Sequence, residues 1–132
     1  PEGDAVSVQL VGGPANAAIL HKFTLENLTR PSDLIVFGEG ITVVGSTRSY
    51  ADVAEAADGP TAAELGKLAR AKNSYVVAGI YERDGPVIYN TAILLDRQGK
   101  LAGKYRADFY DLLKKHDLKV EDFKRAKTVL PN

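Results

Sequence analysis

The sequence predicts an α/β fold, a single layered domain with a central mixed sheet. Residues Asp33–Phe37 form a short apolar run bounded by turn residues, which favours a strand buried on both faces. Residues Pro60–Ala71 have the apolar spacing of a helix. Three further strand patterns lie between Tyr75 and Arg106 and are joined by tight turns, which indicates an antiparallel meander. Strands and helices in this order are typical of a sheet layered with helices.

The beginning of the chain predicts a strand followed by a helix. Residues 5–11 alternate small or apolar side chains with polar ones, as a half-buried strand does. Pro14 follows two glycines and suits the first turn of a helix. Apolar residues at helical spacing then continue the pattern, and Arg30-Pro31 ends it.

Turn residues separate the buried strand from the strong helix. Gly38-Glu39-Gly40 follows the strand directly, and a polar loop leads to Pro60. Thr61 and Glu64 have the spacing of a capping box, which places the beginning of the helix near residue 61.

The meander and the tail complete the predicted elements. The three strands of the meander are Tyr75–Tyr81, Val87–Leu95 and Lys100–Arg106. Residues 107–132 form a charged tail with two short helical patterns, around 111–116 and 120–126. Residues 1–132 are therefore expected to form one domain.

The composition limits the chemistry that the chain can supply. The chain has 132 residues and contains no cysteine, methionine or tryptophan. Without cysteine there is no disulfide, no thiolate metal ligand and no thiol nucleophile from this chain. The missing methionine indicates that Pro1 marks a processed or trimmed terminus. The three zeros together favour an engineered or chimeric sequence.

The charge pattern predicts neither a nucleic-acid nor a membrane partner. Lys and Arg total 17 and Asp and Glu total 17, so no overall field attracts a polyanion. Residues 97–127 contain ten basic and five acidic side chains, a bias typical of a solvated helical face. No apolar run approaches the roughly 18 residues of a membrane span, and no signal peptide opens the chain. A cytoplasmic location is expected.

The two histidines, His21 and His116, do not indicate a metal site. They lie far apart in the sequence, with no cysteine or carboxylate cluster beside either, whereas a metal needs convergent ligands. No metal and no cofactor are expected.

Glu39 is the candidate catalytic residue. A carboxylate just beyond the carboxyl end of a buried strand occupies the position where α/β sheets commonly place working groups. The glycines on both sides permit close backbone approach and unusual dihedral angles. The alternative is a loop carboxylate that caps a helix or stays in solvent.

Five segments resemble, in order and spacing, the first half of the nitrilase, or carbon–nitrogen hydrolase, superfamily. The resemblance covers residues 30–106, and its segments are Asp33–Gly45, Asp58–Thr61 with the helix after it, Tyr75–Arg83, Tyr89–Asp96 and Gly99–Arg106. It implies half of a nitrilase-type αββα sandwich.

The resemblance also implies a mechanism that this chain cannot complete. In the family a cysteine thiolate attacks a nitrile or amide carbon, a glutamate acts as general base, and a lysine stabilises the tetrahedral intermediate. Glu39 stands at the glutamate position. Ala107 stands at the lysine position, and Phe109 replaces the histidine that follows it. Lys104 is a poor substitute, because an offset of three residues along a strand reverses the face.

Three functions remain open. The first is a non-catalytic domain, a truncated or engineered scaffold that keeps the family's cleft at Glu39. The second is amide or nitrile hydrolysis, with the missing groups supplied elsewhere or with Glu39 activating water. The third is an interaction module that forms a homodimer through its sheet face. The tail is expected to cover that face. The small-molecule ligand stays unknown.

Overall fold

A computed structural model describes residues 8–106, which form one four-stranded sheet with helices on one face. The elements in chain order are α1 (Ala15–Asn27), β1 (Leu34–Val36), α2 (Tyr50–Val53), α3 (Pro60–Lys72), β2 (Tyr75–Asp84), β3 (Val87–Leu95) and β4 (Leu101–Tyr105). The strand order is β1-β2-β3-β4; β1 pairs parallel with β2, and the other pairs are antiparallel. The predicted α/β class with a mixed sheet is confirmed.

The predicted first strand is wrong where the structure describes it. Residues 8–11 belong to no strand, and residues 5–7 lie outside the described residues. The backbone N–H groups of Val11 and Gly12 donate to the side chain of Asn16 instead of to a neighbouring strand. An alternating pattern shows where apolar side chains point, but a strand also needs a partner, and among residues 8–106 the sheet ends at β1.

The helix predicted over residues 60–71 is confirmed, but its capping box is wrong. Gly59 is the N-cap of α3 and Pro60 occupies the first turn, so no capping side chain acts from within the helix. Thr61 donates both its backbone N–H and its hydroxyl to the carboxylate of Glu55, at 2.7 and 2.8 Å. The N-cap is thus Gly59, two residues before Thr61, and a carboxylate from the preceding loop supplies the acceptor.

The two faces of the sheet bury different apolar clusters. Helices α1 and α3 pack together, and α3 contacts β2 and β3. The larger cluster lies on this helix face and includes five fully buried side chains, those of Phe37, Leu65, Leu68, Ile80 and Ile93. The opposite face carries a smaller cluster of Val36, Val77 and Ala92, joined by Leu34, Leu94 and Tyr105. Among residues 8–106, no helix is part of this second cluster.

The meander follows the predicted order closely. Strand β2 pairs with β3 from Val76↔Leu95 to Asp84↔Val87, through a turn in which Gly85 has a φ of +59°. Strand β4 then pairs with β3. The predicted tail helices lie outside the described residues, so the assignment of the whole chain to one domain stays a prediction. No helix within residues 8–106 is long and apolar enough to cross a membrane.

Candidate functional site

Glu39 lies just after β1, at the carboxyl end of the parallel strand. Its side chain is exposed, whereas Phe37 two residues earlier is fully buried in the core. Gly40 has a φ of +57°, a left-handed conformation that residues with a Cβ adopt only at a cost. The glycine therefore lets the chain reverse directly after the carboxylate, as the flanking glycines predicted.

The backbone of Gly79 on β2 holds both sides of this reversal. Its N–H donates to the carbonyl of Gly38, and its carbonyl accepts from the N–H of Ile41; both distances are 3.1 Å. Glu39 and Gly40 thus form a two-residue arch between two residues that are bonded to the same glycine. We call Gly38–Ile41 the Glu39 arch.

Tyr81 lies beside the Glu39 arch, and Tyr50 lies beside Tyr81. A Cβ built on Gly40 would lie 3.2 Å from the hydroxyl oxygen of Tyr81, so this hydroxyl adjoins the arch. The Tyr81 ring lies 5.6 Å from the ring of Tyr50, centroid to centroid, and Tyr50 is 57 % exposed. Within the described residues, the exposed Glu39 therefore lies next to an arch that adjoins the Tyr81 hydroxyl.

A second carboxylate, that of Glu82, is buried near the carboxyl end of β2. Its side chain is 3 % exposed, and its oxygens accept hydrogen bonds from the Thr91 hydroxyl, Lys104 Nζ, and Arg106 Nε and Nη2. Arg106 also donates to Asp84 at 2.6 Å. Its guanidinium lies 4.0 Å from the centroid of the Tyr89 ring.

The charge of Glu82 is stabilised by these donors. The hydrogen bonds from Arg106, together with those from Lys104 and Thr91, lower the pKa of Glu82 to about 2 against the opposing effect of burial. The same contacts raise the pKa of Arg106. Glu82 is ionised at neutral pH and is compensated from several directions, as a buried charge requires.

Lys104 is committed to Glu82 rather than available to the Glu39 arch. Residue 104 pairs with Ile93, whose side chain lies in the helix-face core, whereas Tyr105 packs in the cluster on the opposite face. The prediction that Lys104 lies on the opposite face from residue 107 stays a prediction, because residue 107 lies outside the described residues. Ala107 and Phe109 lie outside the described residues.

Sequence reasoning missed Glu82. The signal was present, because a glutamate continues the apolar run of β2 and a threonine and two cations follow on the next strands. The pattern did not show that Thr91, Lys104 and Arg106 share one face with Glu82; that required the pairing register.

Among residues 8–106, His21 contacts a single carboxylate, that of Glu64. Its Nδ1 lies 2.6 Å from Oε2 of Glu64, which connects α1 to α3. Within residues 8–106 no three His, Asp or Glu side chains are grouped to hold a metal ion. His116 lies outside the described residues.

The fold and the arch define an α/β domain with a carboxylate at the carboxyl end of its parallel strand. The family model described as carbon-nitrogen hydrolase matches residues 13–107, and the chain belongs to this family. The resemblance over residues 30–106 is therefore confirmed. It was too narrow at its beginning, since the family's portion includes α1.

Curated relatives support the same family. Nitrilase 2 of Arabidopsis thaliana is 31 % identical over 112 aligned positions, which cover 70 % of this chain and 33 % of that protein. Beta-ureidopropionase of Arabidopsis thaliana is 34 % identical over 82 positions, which cover 60 % of this chain and 18 % of that protein. The chain thus spans a third or less of the length of these two relatives.

Solved structures share the fold. Saccharomyces cerevisiae Nit3, described as a member of branch 10 of the nitrilase superfamily, superposes with a TM-score of 0.55 at 27 % identity; the match covers 76 % of this chain and 42 % of Nit3. An N-terminal amidase superposes with a TM-score of 0.59 at 24 % identity, covering 86 % of this chain and 30 % of the amidase. The second likeness concerns the fold alone.

Proposed function

We propose that this chain is the Glu39-bearing portion of a carbon–nitrogen hydrolase fold and that, by itself, it is a non-catalytic scaffold. The single observation that carries the proposal is the absence of cysteine from all 132 residues. The family's covalent mechanism begins with a thiolate, and a catalytic unit that loses one member loses most of its activity.

The cations of the described residues support the same proposal. Lys104 and Arg106 stand nearest in sequence to the family's lysine position, and both donate to Glu82. Moving either to the Glu39 arch would take one of its charged donors from the buried carboxylate of Glu82, which is costly. Lys104 and Arg106 therefore both serve as hydrogen-bond donors to Glu82.

Ammonia release tests the proposal. We expect the 132-residue chain to release no ammonia from panels of aliphatic and aromatic amides and nitriles above the rate in buffer. Glu39→Gln is the matched variant, because it keeps the size of the side chain and removes the basic carboxylate. Release by the parent chain that disappears in Glu39→Gln would overturn the non-catalytic proposal.

The alternative is hydrolysis with the missing groups supplied elsewhere. It is favoured by the family membership and by the short span of the relatives that the chain covers. To test it, the part of Arabidopsis nitrilase 2 that lies outside the match is mixed with the parent chain in one sample and with Glu39→Gln in another. Ammonia release that needs both pieces and Glu39 would support this alternative over the scaffold.

A homodimer through the sheet face is a second candidate role. Val36, Val77 and Ala92 form an apolar cluster on the face opposite the helices. Apolar clusters of this kind pack against another layer, and a second copy of the chain could supply it. Sedimentation equilibrium decides: twice 14.2 kDa supports the dimer, and 14.2 kDa at high concentration excludes it. The engineered or chimeric origin stays a prediction.

A further inference from the structure

Asn16, in the first turn of α1, has a side chain with no exposed surface. Its Oδ1 accepts hydrogen bonds from the backbone N–H groups of Val11 and Gly12, both at 2.8 Å. Its Nδ2 donates to the carbonyls of Ile41 and Val44, at 2.7 and 2.8 Å. One primary amide thus has two acceptor bonds and two donor bonds, its full capacity.

Ile41 connects this amide to the Glu39 arch. Its carbonyl accepts from Asn16, its N–H donates to Gly79, and its side chain is buried in the core. Both polar backbone groups of Ile41 are therefore held two residues after Glu39. The path of the chain after Glu39 is therefore fixed by two hydrogen bonds of Ile41, one to Gly79 on β2 and one from Asn16 on α1.

The backbone segments around Asn16 pack closely against each other. The N–H of Gly13 donates to the carbonyl of Thr42 at 2.6 Å. A Cβ on Gly45 would lie 1.9 Å from the carbonyl oxygen of Leu10, so only glycine permits this approach. Residues 10–13 and 41–45 form one junction, and the side-chain amide of Asn16 bridges these two backbone segments.

We propose that Asn16 is the positioning residue of the site: its amide fixes the segment 41–44 and so determines where the Glu39 carboxylate stands. The inference rests on the proposed function only in taking Glu39 as the carboxylate of the site. The signal in the sequence is spacing, since Asn16, Leu20 and Thr24 recur at intervals of four, and a polar residue therefore begins the buried stripe of α1.

Replacing Asn16 with aspartate separates the accepting function of the side chain from its donating function. Asn16→Asp keeps an oxygen that accepts from Val11 and Gly12. It also places a second oxygen, with negative charge, against the carbonyls of Ile41 and Val44, where no donor is left. The side chain keeps its size, so the change releases the arch while it leaves the volume of the junction the same.

Thr24→Val is the matched control. Thr24 is a buried polar residue on the same helix, and its hydroxyl donates only to the carbonyl of Leu20 in the preceding turn. Its loss weakens α1 without touching residues 41–44. A role of Asn16 that is merely structural would make Asn16→Asp behave as Thr24→Val does.

Amide hydrogen exchange of the full chain, followed by NMR, distinguishes the two roles. The reporters are the N–H groups of Gly13, Ile41 and Val43, all hydrogen-bonded at the junction. In Asn16→Asp we expect their protection to fall at least about tenfold more than that of the β2–β3 amides, because buried carbonyls lose their donor. In Thr24→Val we expect the protection of the junction amides and that of the β2–β3 amides to fall by the same factor. The carboxyl carbon resonance of Glu39 should move in Asn16→Asp alone.

Equal loss of protection in the loop and the sheet of Asn16→Asp would overturn the inference. If Asn16→Asp does not fold, exchange of the parent chain in low denaturant decides instead. The amides of Val11 and Gly12, which donate to Asn16, must then exchange with the same opening free energy as those of Ile41 and Val43, because Asn16 also donates to the carbonyls of Ile41 and Val44 and so joins the two segments. Different values overturn the inference. Ammonia release would overturn the proposed function and leave these exchange results unaffected.

Discussion

Arg106 holds the buried carboxylate of Glu82 with two hydrogen bonds from one guanidinium, Nε to Oε1 at 3.0 Å and Nη2 to Oε2 at 3.1 Å. Glu82 lies on β2 and Arg106 follows β4, so the pair spans the intervening strand β3. Thr91 on β3 donates to the same carboxylate at 2.9 Å. One carboxylate therefore connects three neighbouring strands where β4 ends.

Glu82 should make the stability of the chain depend on pH in the acid range. Its pKa lies at about 2 in the folded chain, against an ordinary value of 4.5. A lowered pKa contributes stability that is fully present above pH 4.5 and is lost as the pH falls toward 2. We expect a loss of about 1–2 kcal/mol, less than the ~3 kcal/mol that the pKa difference implies. The side chains of Lys104 and Arg106 are 37 % and 30 % exposed, so solvent screens the pair.

Urea unfolding of Glu82→Gln from pH 7 to pH 2.5 checks this prediction. The variant should be less stable at pH 7 and should lack the Glu82 part of the decline below pH 4.5. Asp58→Asn, at an exposed carboxylate, is the control and should follow the parent curve. A Glu82→Gln curve parallel to the parent curve at all pH values would contradict the assignment.

Thr42 and Thr91 should respond in opposite directions to replacement by valine. Both are fully buried, but the Thr91 hydroxyl donates to Glu82, whereas the Thr42 hydroxyl has no hydrogen-bond partner among the described residues. Thr91→Val should lower the free energy of unfolding by about 1–2 kcal/mol, because a carboxylate loses a donor. Thr42→Val should raise it by about 0.5–1 kcal/mol, because an unpaired hydroxyl is removed. Chemical denaturation at pH 7 measures both; destabilisation by Thr42→Val would show that its hydroxyl has a partner.

Gly45 and Gly85 separate steric contact from backbone strain. Both have positive φ, +81° and +59°, so alanine is strained at each. A Cβ at Gly85 has no atom within 4 Å, whereas one at Gly45 would collide with the backbone of Leu10. Gly85→Ala should cost about 1 kcal/mol, and Gly45→Ala at least about 2 kcal/mol more, since the two backbones must move apart. Thermal unfolding of both variants tests the order, and equal losses would refute the close approach.

The His21–Glu64 contact should couple α1 to α3. Both side chains are mostly buried, at 14 % and 25 % exposed, and the hydrogen bond from His21 lowers the pKa of Glu64. The coupling is therefore expected to be fully present above the ordinary pKa of Glu64 and to be lost as the pH falls through its lowered pKa. A double-mutant cycle of His21→Ala and Glu64→Gln should give about 1 kcal/mol at pH 7 and a progressively smaller value as the pH is lowered into the acid range. The exposed Lys22–Glu26 pair, 4.0 Å apart, is the control and should show no measurable coupling.

Local patterns carried most of the fold prediction. The buried run at residues 33–37, the helix over residues 60–71 and the three strands of the meander were all placed correctly, because each depends on the spacing of apolar side chains along one element. The strand at residues 5–11 failed where it can be compared, since its alternation says nothing about a partner strand.

The candidate site was predicted only in part. Glu39 could be proposed because a carboxylate between glycines after a buried strand is a local signal, and its catalytic role stays a prediction. Gly79, Tyr81 and Asn16 were not found, because they contact the Glu39 arch from separate elements. Their distance in sequence is bridged by parallel pairing of β1 with β2 and by the packing of α1.

The sequence by itself determined the α/β class, the family resemblance, the place of Glu39 and the absence of a thiol. Each of these follows from residue identities or from periodicity within a single element. Only the tertiary structure decided that Lys104 and Arg106 belong to Glu82, and that Asn16 and Gly79 hold the segment after Glu39. The physical reason is that hydrogen bonds and ion pairs are short-ranged, so their partners are set by strand register and packing rather than by neighbours along the chain.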